Sequence, residues 1–239
     1  MRRAGRVVAS MLALLSETAR PGIMTKELDI LARRELKRLG AKPSFLGQPG
    51  FTPFPATICT SLNHEIVHGI PGNYVLREGD LLKVDAGAIV NGFHADAAVT
   101  IPIGQISLEA QALLGATREA LAIGIRAARG GERIGDIGAA IQDFVETRGY
   151  GLVREYVGHG IGRSLHEDPP VPNYGVSGRG VLLRPGMAIA IEPMLNLGTR
   201  YTKVLEDKWT VVTADSMLSS HFEHTLLITD GEAEVLTGS

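Results

Sequence analysis

LREGDLLKVD, Leu76–Asp85, returns later in the chain as LRPGMAIAIE, Leu183–Glu192. Leucine, arginine and glycine keep their places, and an acid closes both copies. One such match is weak, but two others accompany it in the same order. HGI at 68–70 recurs as HGI at 159–161, and HAD at 94–96 recurs as HFE at 221–223. Three ordered matches imply an internal repeat of two similar halves, approximately 1–105 and 106–239, packed about a pseudo-two-fold axis. The expectation is one domain, 1–239.

The surrounding elements repeat too. Val8, Met11, Leu12 and Leu15 keep the i, i+3, i+4, i+7 spacing of an amphipathic helix. Ser10, Ser16 and Glu17 interrupt the apolar run, which argues against a secretory signal. Pro21-Gly22 breaks this helix, and Thr25 with Glu27 and Asp29 marks a capped second one ending at Gly40. In the second half a helix over 108–128 breaks at Gly130-Gly131, and another runs near 134–148 before Gly149. Asn91-Gly92 reads as a two-residue hairpin turn joining LREGDLLKVDAGAIV to FHADAAVTI. The class is α+β.

With 24 basic and 26 acidic residues the charge is balanced, so neither nucleic acid nor a membrane surface is signalled as a partner. No stretch reaches the roughly 20 apolar residues of a membrane span. A single cysteine, Cys59, excludes an internal disulfide and a thiolate zinc cage, and fits a reducing cytoplasm.

The repeat pairs Asp85 with Glu192 and Asp96 with Glu223. In the hairpin, partner numbers sum to 183, so Asp85 faces Ala98 and Asp96 lies two positions along on the same face. Leu82, Val84, Ala95, Ala97 and Val99 fall on the other face, which suits packing against helices. A lone strand aspartate is usually exposed or salt-bridged. Asp85 and Glu192 instead sit in apolar runs without an adjacent base, and four buried carboxylates cannot all ionise without cations. Two divalent ions supply four positive charges. Several carboxylates with one neutral histidine form an oxygen-rich set that suits manganese, iron or cobalt, with zinc also accommodated. Two such ions about 3.5–4 Å apart would generate a bridging hydroxide and polarise a carbonyl, so the implied chemistry is hydrolysis.

EYVGHGIGRSLHEDPP, Glu155–Pro170, carries two histidines in a glycine-punctuated setting. Gly158, Gly160, Gly162, Pro169 and Pro170 oppose a helix. The odd spacing of His159 and His166 opposes a single strand, leaving a tight loop serving a site.

FPATICTSLNHEIVHGIP, LLKVDAGAIVNGFHAD, VREYVGHGIGRSLHEDP, IEPMLN, DKWTV and FEHT stand in the order and spacing of the type I methionine aminopeptidases, and nearly the whole chain resembles their short bacterial form. The resemblance implies the pita-bread fold, two pseudo-symmetric halves with a central antiparallel sheet covered by helices. It implies that Asp85 chelates one metal, that His159 and Glu192 hold the other, and that Asp96 and Glu223 bridge both. His68 and His166 match the family's non-ligand histidines, which contact the substrate and are suited to donating to a developing oxyanion or departing nitrogen. Glu192 is also a candidate proton shuttle. Phe51, Phe54, Cys59, Leu165 and Trp209 would line a methionine pocket, since a thioether suits a polarizable, aromatic-walled slot. Asn63 and Ser219 match positions whose backbone carbonyls hold a monovalent cation in relatives. His64 and His224 are expected to be non-catalytic.

The implied function is removal of the initiator methionine from nascent or newly made chains with a small second residue, in the cytoplasm, at or near the ribosome, by a monomer. Xaa-Pro aminopeptidases and dipeptidases share the ligands, but they usually carry an extra N-terminal domain not seen in this sequence. A non-catalytic pita-bread module that binds protein or RNA needs neither five ligands nor two further histidines.

Overall fold

The computed structural model describes residues 1–238. Its first half runs α1 (Arg2–Thr18), α2 (Thr25–Arg38), β1 (Lys42–Pro43), β2 (Ile58–Leu62), β3 (Glu65–Val67), β4 (Leu81–Val90) and β5 (Phe93–Pro102). Then come α3 (Leu108–Ala127), α4 (Ile134–Glu146), β6 (Gly151–Leu152), β7 (Gly158–Gly160), β8 (Glu167–Val171) and β9 (Ala188–Ile191). The last strands are β10 (Met194–Asn196), β11 (Thr202–Val204), β12 (Val211–Thr213), β13 (Ser219–His221), β14 (Glu223–Leu227) and β15 (Glu234–Val235).

The β4–β5 hairpin has the register set by its Asn-Gly turn: Asp85 pairs with Ala98 and Gly87 with Asp96. Both turn residues take positive φ, 52° at Asn91 and 76° at Gly92, as this tight connection requires. Alternation then separates core from acid. Val84, Ala86, Ala95 and Ala97 pack beneath Val8, Met11, Leu12 and Leu15 of α1, while Asp85 and Asp96 project from the opposite face. A second core joins α3 and α4 to Ile189, Ile191 and Leu226. Antiparallel strands in the order β1-β4-β5-β14-β9-β7-β8 connect these halves, with β2 also on β4 and β15 on β14. This is the pita-bread α+β arrangement. The halves meet where β5 lies against β14, with Glu223 opposite Ala98.

The same backbone hydrogen bonds occur in each half. Gly22 N–H donates to Leu76 O and Gly131 N–H to Leu183 O, both at 2.9 Å. Gly79 N–H donates to Ile103 O at 2.8 Å and Gly186 N–H to Ile228 O at 2.9 Å. The glycine shared by LREGD and LRPGM is explained here: its φ is 91° at Gly79 and 93° at Gly186, a region costly to any side chain. Between acid and strand end the halves differ, seven steps from Asp96 to Ile103 (103 − 96) and five from Glu223 to Ile228 (228 − 223). An even difference preserves the face.

Two local expectations change. Thr25 is not the cap of α2; the Met24 N–H is satisfied by Glu27 at 2.7 Å, and the Thr25 hydroxyl donates to Gly72 O at 3.0 Å. A carboxylate reaching back from the third helical position replaces the hydroxyl cap. The stretch 158–171 is a hairpin of β7 and β8, with a register shift between His159 and Gly160 and an irregular tip. Its glycines serve close packing: a Cβ on Gly158 would lie 2.2 Å from Ala190 O, and one on Gly160 2.3 Å from Asp168 O.

Candidate metal centre and substrate cleft

Five strands or their ends deliver the acids and His159 to one cavity of about 300 Å³. Asp85 comes from β4, Asp96 from β5, His159 from β7, Glu192 from the residue after β9, and Glu223 from the start of β14. Ligand atoms of Asp96, His159 and Glu223 all lie within 4.8 Å of one another. His159 Nε2 is 4.0 Å from Asp96 Oδ2 and 3.8 Å from Glu192 Oε1. Its Nδ1–H donates to Gly160 O at 2.8 Å. That bond fixes the tautomer and leaves the Nε2 lone pair facing the carboxylates, as in metal-ligating histidines.

Electrostatics set these groups apart from ordinary surface acids. Burial pushes the Asp85 carboxyl up to about 7. Asp96, Glu192 and Glu223 are driven well above the usual carboxylate range, first by burial and then by one another's charge. Among the described residues, the buried oxygens Asp85 Oδ1, Asp96 Oδ1 and Glu223 Oε1 accept no hydrogen bond. Ionised carboxylates only accept, so such a cluster fits divalent cations. Burial also raises the Cys59 thiol well above its ordinary value, keeping it a neutral wall residue beside Asp85.

On the open side, His68 and His166 border the same cavity. Burial lowers His68 to about 4, so its imidazole is neutral. The ring meets Tyr156 and Trp209 edge-on, with centroids 5.8 Å and 6.3 Å away. His166 lies 4.4 Å from His159, ring to ring, and burial lowers its pKa too. Phe54, Cys59 and Leu165 are buried together, with Trp209 packed against them, and Phe54 meets Trp209 edge-on at 5.1 Å.

Phe51 is a correction. It is 83% exposed and does not line the cavity. The loop passes Trp209 by its backbone: the indole Nε1–H donates to Thr52 O at 3.1 Å, and a Cβ on Gly50 would lie 2.4 Å from the indole. Phe45 supplies the additional aromatic wall, and only its nearness to Phe54 in sequence hinted at it. His221 was also missed. It is 1% exposed, and its Nε2 is 3.8 Å from Glu192 Oε2; its place in HFE, matching His94 in HAD, was the available signal. His64 and His224 lie outside the cavity, and His224 Nδ1 meets Thr237 Oγ1 at 2.9 Å. The expected monovalent cation does not fit, because Lys83 Nζ already donates to the carbonyls of both Asn63 and Ser219.

A buried acid cluster with one oriented imidazole, opening into a side-chain-sized cleft, defines a metallohydrolase. Residues 1–230 match metallopeptidase family M24. Methionine aminopeptidase 1 of Bacillus subtilis is 51% identical over 237 residues, covering 99% of this chain and 94% of that protein. The crystal structure of the Thermotoga maritima methionine aminopeptidase superposes with a TM-score of 0.97 at 43% identity, covering 100% of this chain and 95% of that one. A prolidase from Pyrococcus furiosus shares the fold at 22% identity, with a TM-score of 0.79, and this chain spans 62% of its length. The chain belongs to metallopeptidase family M24, in its methionine aminopeptidase branch. No helix among the described residues is long and apolar enough to cross a membrane.

Proposed function

We propose that this methionine aminopeptidase releases the initiator methionine from newly made polypeptides with a small second residue, acting as a single catalytic unit. The observation that carries the reading is the shared cavity: the acid cluster forms one wall, and Phe45, Phe54, Cys59, Leu165 and Trp209 form an apolar slot beside it. A flexible thioether gains contact against aromatic edges and a thiol. The preference for a small second residue rests on the likeness to the family.

Asp85, Asp96, His159, Glu192 and Glu223 would hold two divalent ions, with manganese, iron and cobalt favoured by the oxygen-rich donor set and zinc also accommodated. Such ions supply Lewis acidity for polarising the scissile carbonyl and activating a water. The chain's own groups then manage protons and charge. Glu192 accepts a proton from the attacking water and returns it to the departing amine. Neutral His68 and His166 donate ring N–H groups to the developing oxyanion or the leaving nitrogen. The apolar wall excludes water from the bound side chain.

The reading includes a monomer working in the cytoplasm on nascent chains at or near the ribosome. A lone buried cysteine and balanced charge support that setting. Peptides beginning Met-Ala-Ser, Ala-Pro and Leu-Ala, each offered with manganese, cobalt or iron, test the specificity. Metal-dependent release of methionine from the first is expected; preferential cleavage before proline would contradict it.

A further inference from the structure

Lys83 sits on the acid-bearing face of β4, two residues before Asp85, and is 1% exposed. Its hydrogen-bond partners among the described residues are carbonyls rather than carboxylates: Nζ donates to Asn63 O at 2.7 Å and to Ser219 O at 3.2 Å. Asn63 is built to present that oxygen. It lies in the β2–β3 turn with φ 49°. Its side chain is fixed by donation from Nδ2 to Asp80 Oδ1 and by acceptance of the Leu81 N–H at Oδ1, both at 2.9 Å. Its carbonyl also accepts the Ser219 N–H at 3.0 Å.

Buried carbonyls converging on one point need a positive partner, as in sites where backbone oxygens replace an alkali ion's hydration shell. An ammonium group is a compact point charge with three donors on a flexible apolar stem. We infer that Lys83 is an internal replacement for a monovalent cation, its nitrogen drawing together the Asn63 and Ser219 carbonyls where another chain would need sodium or potassium. The consequence reaches the metal centre through geometry. Ser219 begins β13, which leads through His221 to Glu223, while Lys83 belongs to the strand of Asp85. Lys83 is therefore a positioning residue that ties the second half's acid to the first half's strand.

The test compares thermal unfolding of the metal-loaded wild type, Lys83→Ser and Lys83→Met in sodium, potassium and choline chloride at one ionic strength. The wild type is expected to unfold at the same temperature in all three salts. Lys83→Ser, which opens the position, should unfold earlier in choline and recover with sodium or potassium along a saturable, size-dependent curve. Lys83→Met keeps the stem without the charge and should stay destabilised in every salt. A saturable sodium or potassium dependence in the wild type would overturn the inference, as would a folded Lys83→Ser protein indifferent to cation identity. If neither variant folds, thallium-soaked wild-type crystals decide: no anomalous peak at the Asn63 and Ser219 carbonyls supports the inference, and a peak there refutes it. None of these readouts depends on methionine release.

Discussion

His-Gly-Ile occurs in both halves and is used differently in each. In the second half, His159 is held within β7, its Nδ1–H is anchored on Gly160 O, and its Nε2 faces Asp96 and Glu192. The first-half copy follows β3 at a φ of 60°, a conformation that costs a side-chain-bearing residue about 1 kcal/mol or more. That backbone sends His68 against Tyr156 and Trp209 on the wall of the cavity. A duplicated tripeptide thus places one imidazole among the acids and the other against aromatic rings because the backbone carrying it differs.

The largest effect is expected at His159, the copy proposed as a metal ligand. His159→Ala and Asp96→Asn should each lower kcat/KM by more than the ~10²–10³-fold that one lost transition-state donor costs, with metal content falling in parallel. His68→Ala should lower kcat by about 10²-fold, the scale of a lost general acid, while metal content by atomic spectroscopy stays at the wild-type level. Loss of metal from the His68 variant would erase the distinction between the two copies.

The acids of both halves can be compared through pH. A carboxyl with a raised pKa carries a proton that an incoming ion must displace, so affinity rises with pH until that pKa is passed. Asp85, raised to about 7, should make manganese affinity climb between pH 5.5 and 7, by up to about tenfold per pH unit for each proton displaced. His159, lowered to about 4, is already neutral in this range and adds no slope. Calorimetric affinities that stay flat from pH 5.5 to 7.5 would mean that the carboxyls ionise as ordinary surface acids do. Smallest of all is the contrast on the aromatic wall. Phe45→Ala should raise KM for a methionyl peptide about tenfold, the lower end of what lost apolar pocket contact costs. Phe51→Ala should stay within about twofold of wild type, because its ring is exposed.

Much of this was legible because it depended on local rules. Asn91-Gly92 specifies a tight hairpin, and the hairpin register alone places Asp85 and Asp96 on one face. The spacing of Val8, Met11, Leu12 and Leu15 specifies the buried stripe of α1. The repeat then supplies Glu192 and Glu223. What escaped depended on tertiary packing. The direction of Phe51 is decided by Trp209 meeting the backbone of Gly50 and Thr52, which are far from it in sequence. β7 and β8 were hidden because their glycines answer neighbouring strands, whereas propensity alone reads them as loop. Lys83 lay in plain view on the acid face by alternation, yet its partners are carbonyls of two other segments, which no side-chain pattern reveals.

Methionine release is proposed to depend on ions held by the five converging residues. Adding manganese, cobalt or iron stepwise to chelated protein, with bound metal and methionine released from Met-Ala-Ser measured together, reads out that dependence. Release should be absent without metal, rise with bound metal to saturation, and fail to recover in His159→Ala. Full release from protein shown to be free of metal would mean that the acid cluster does not work through bound ions.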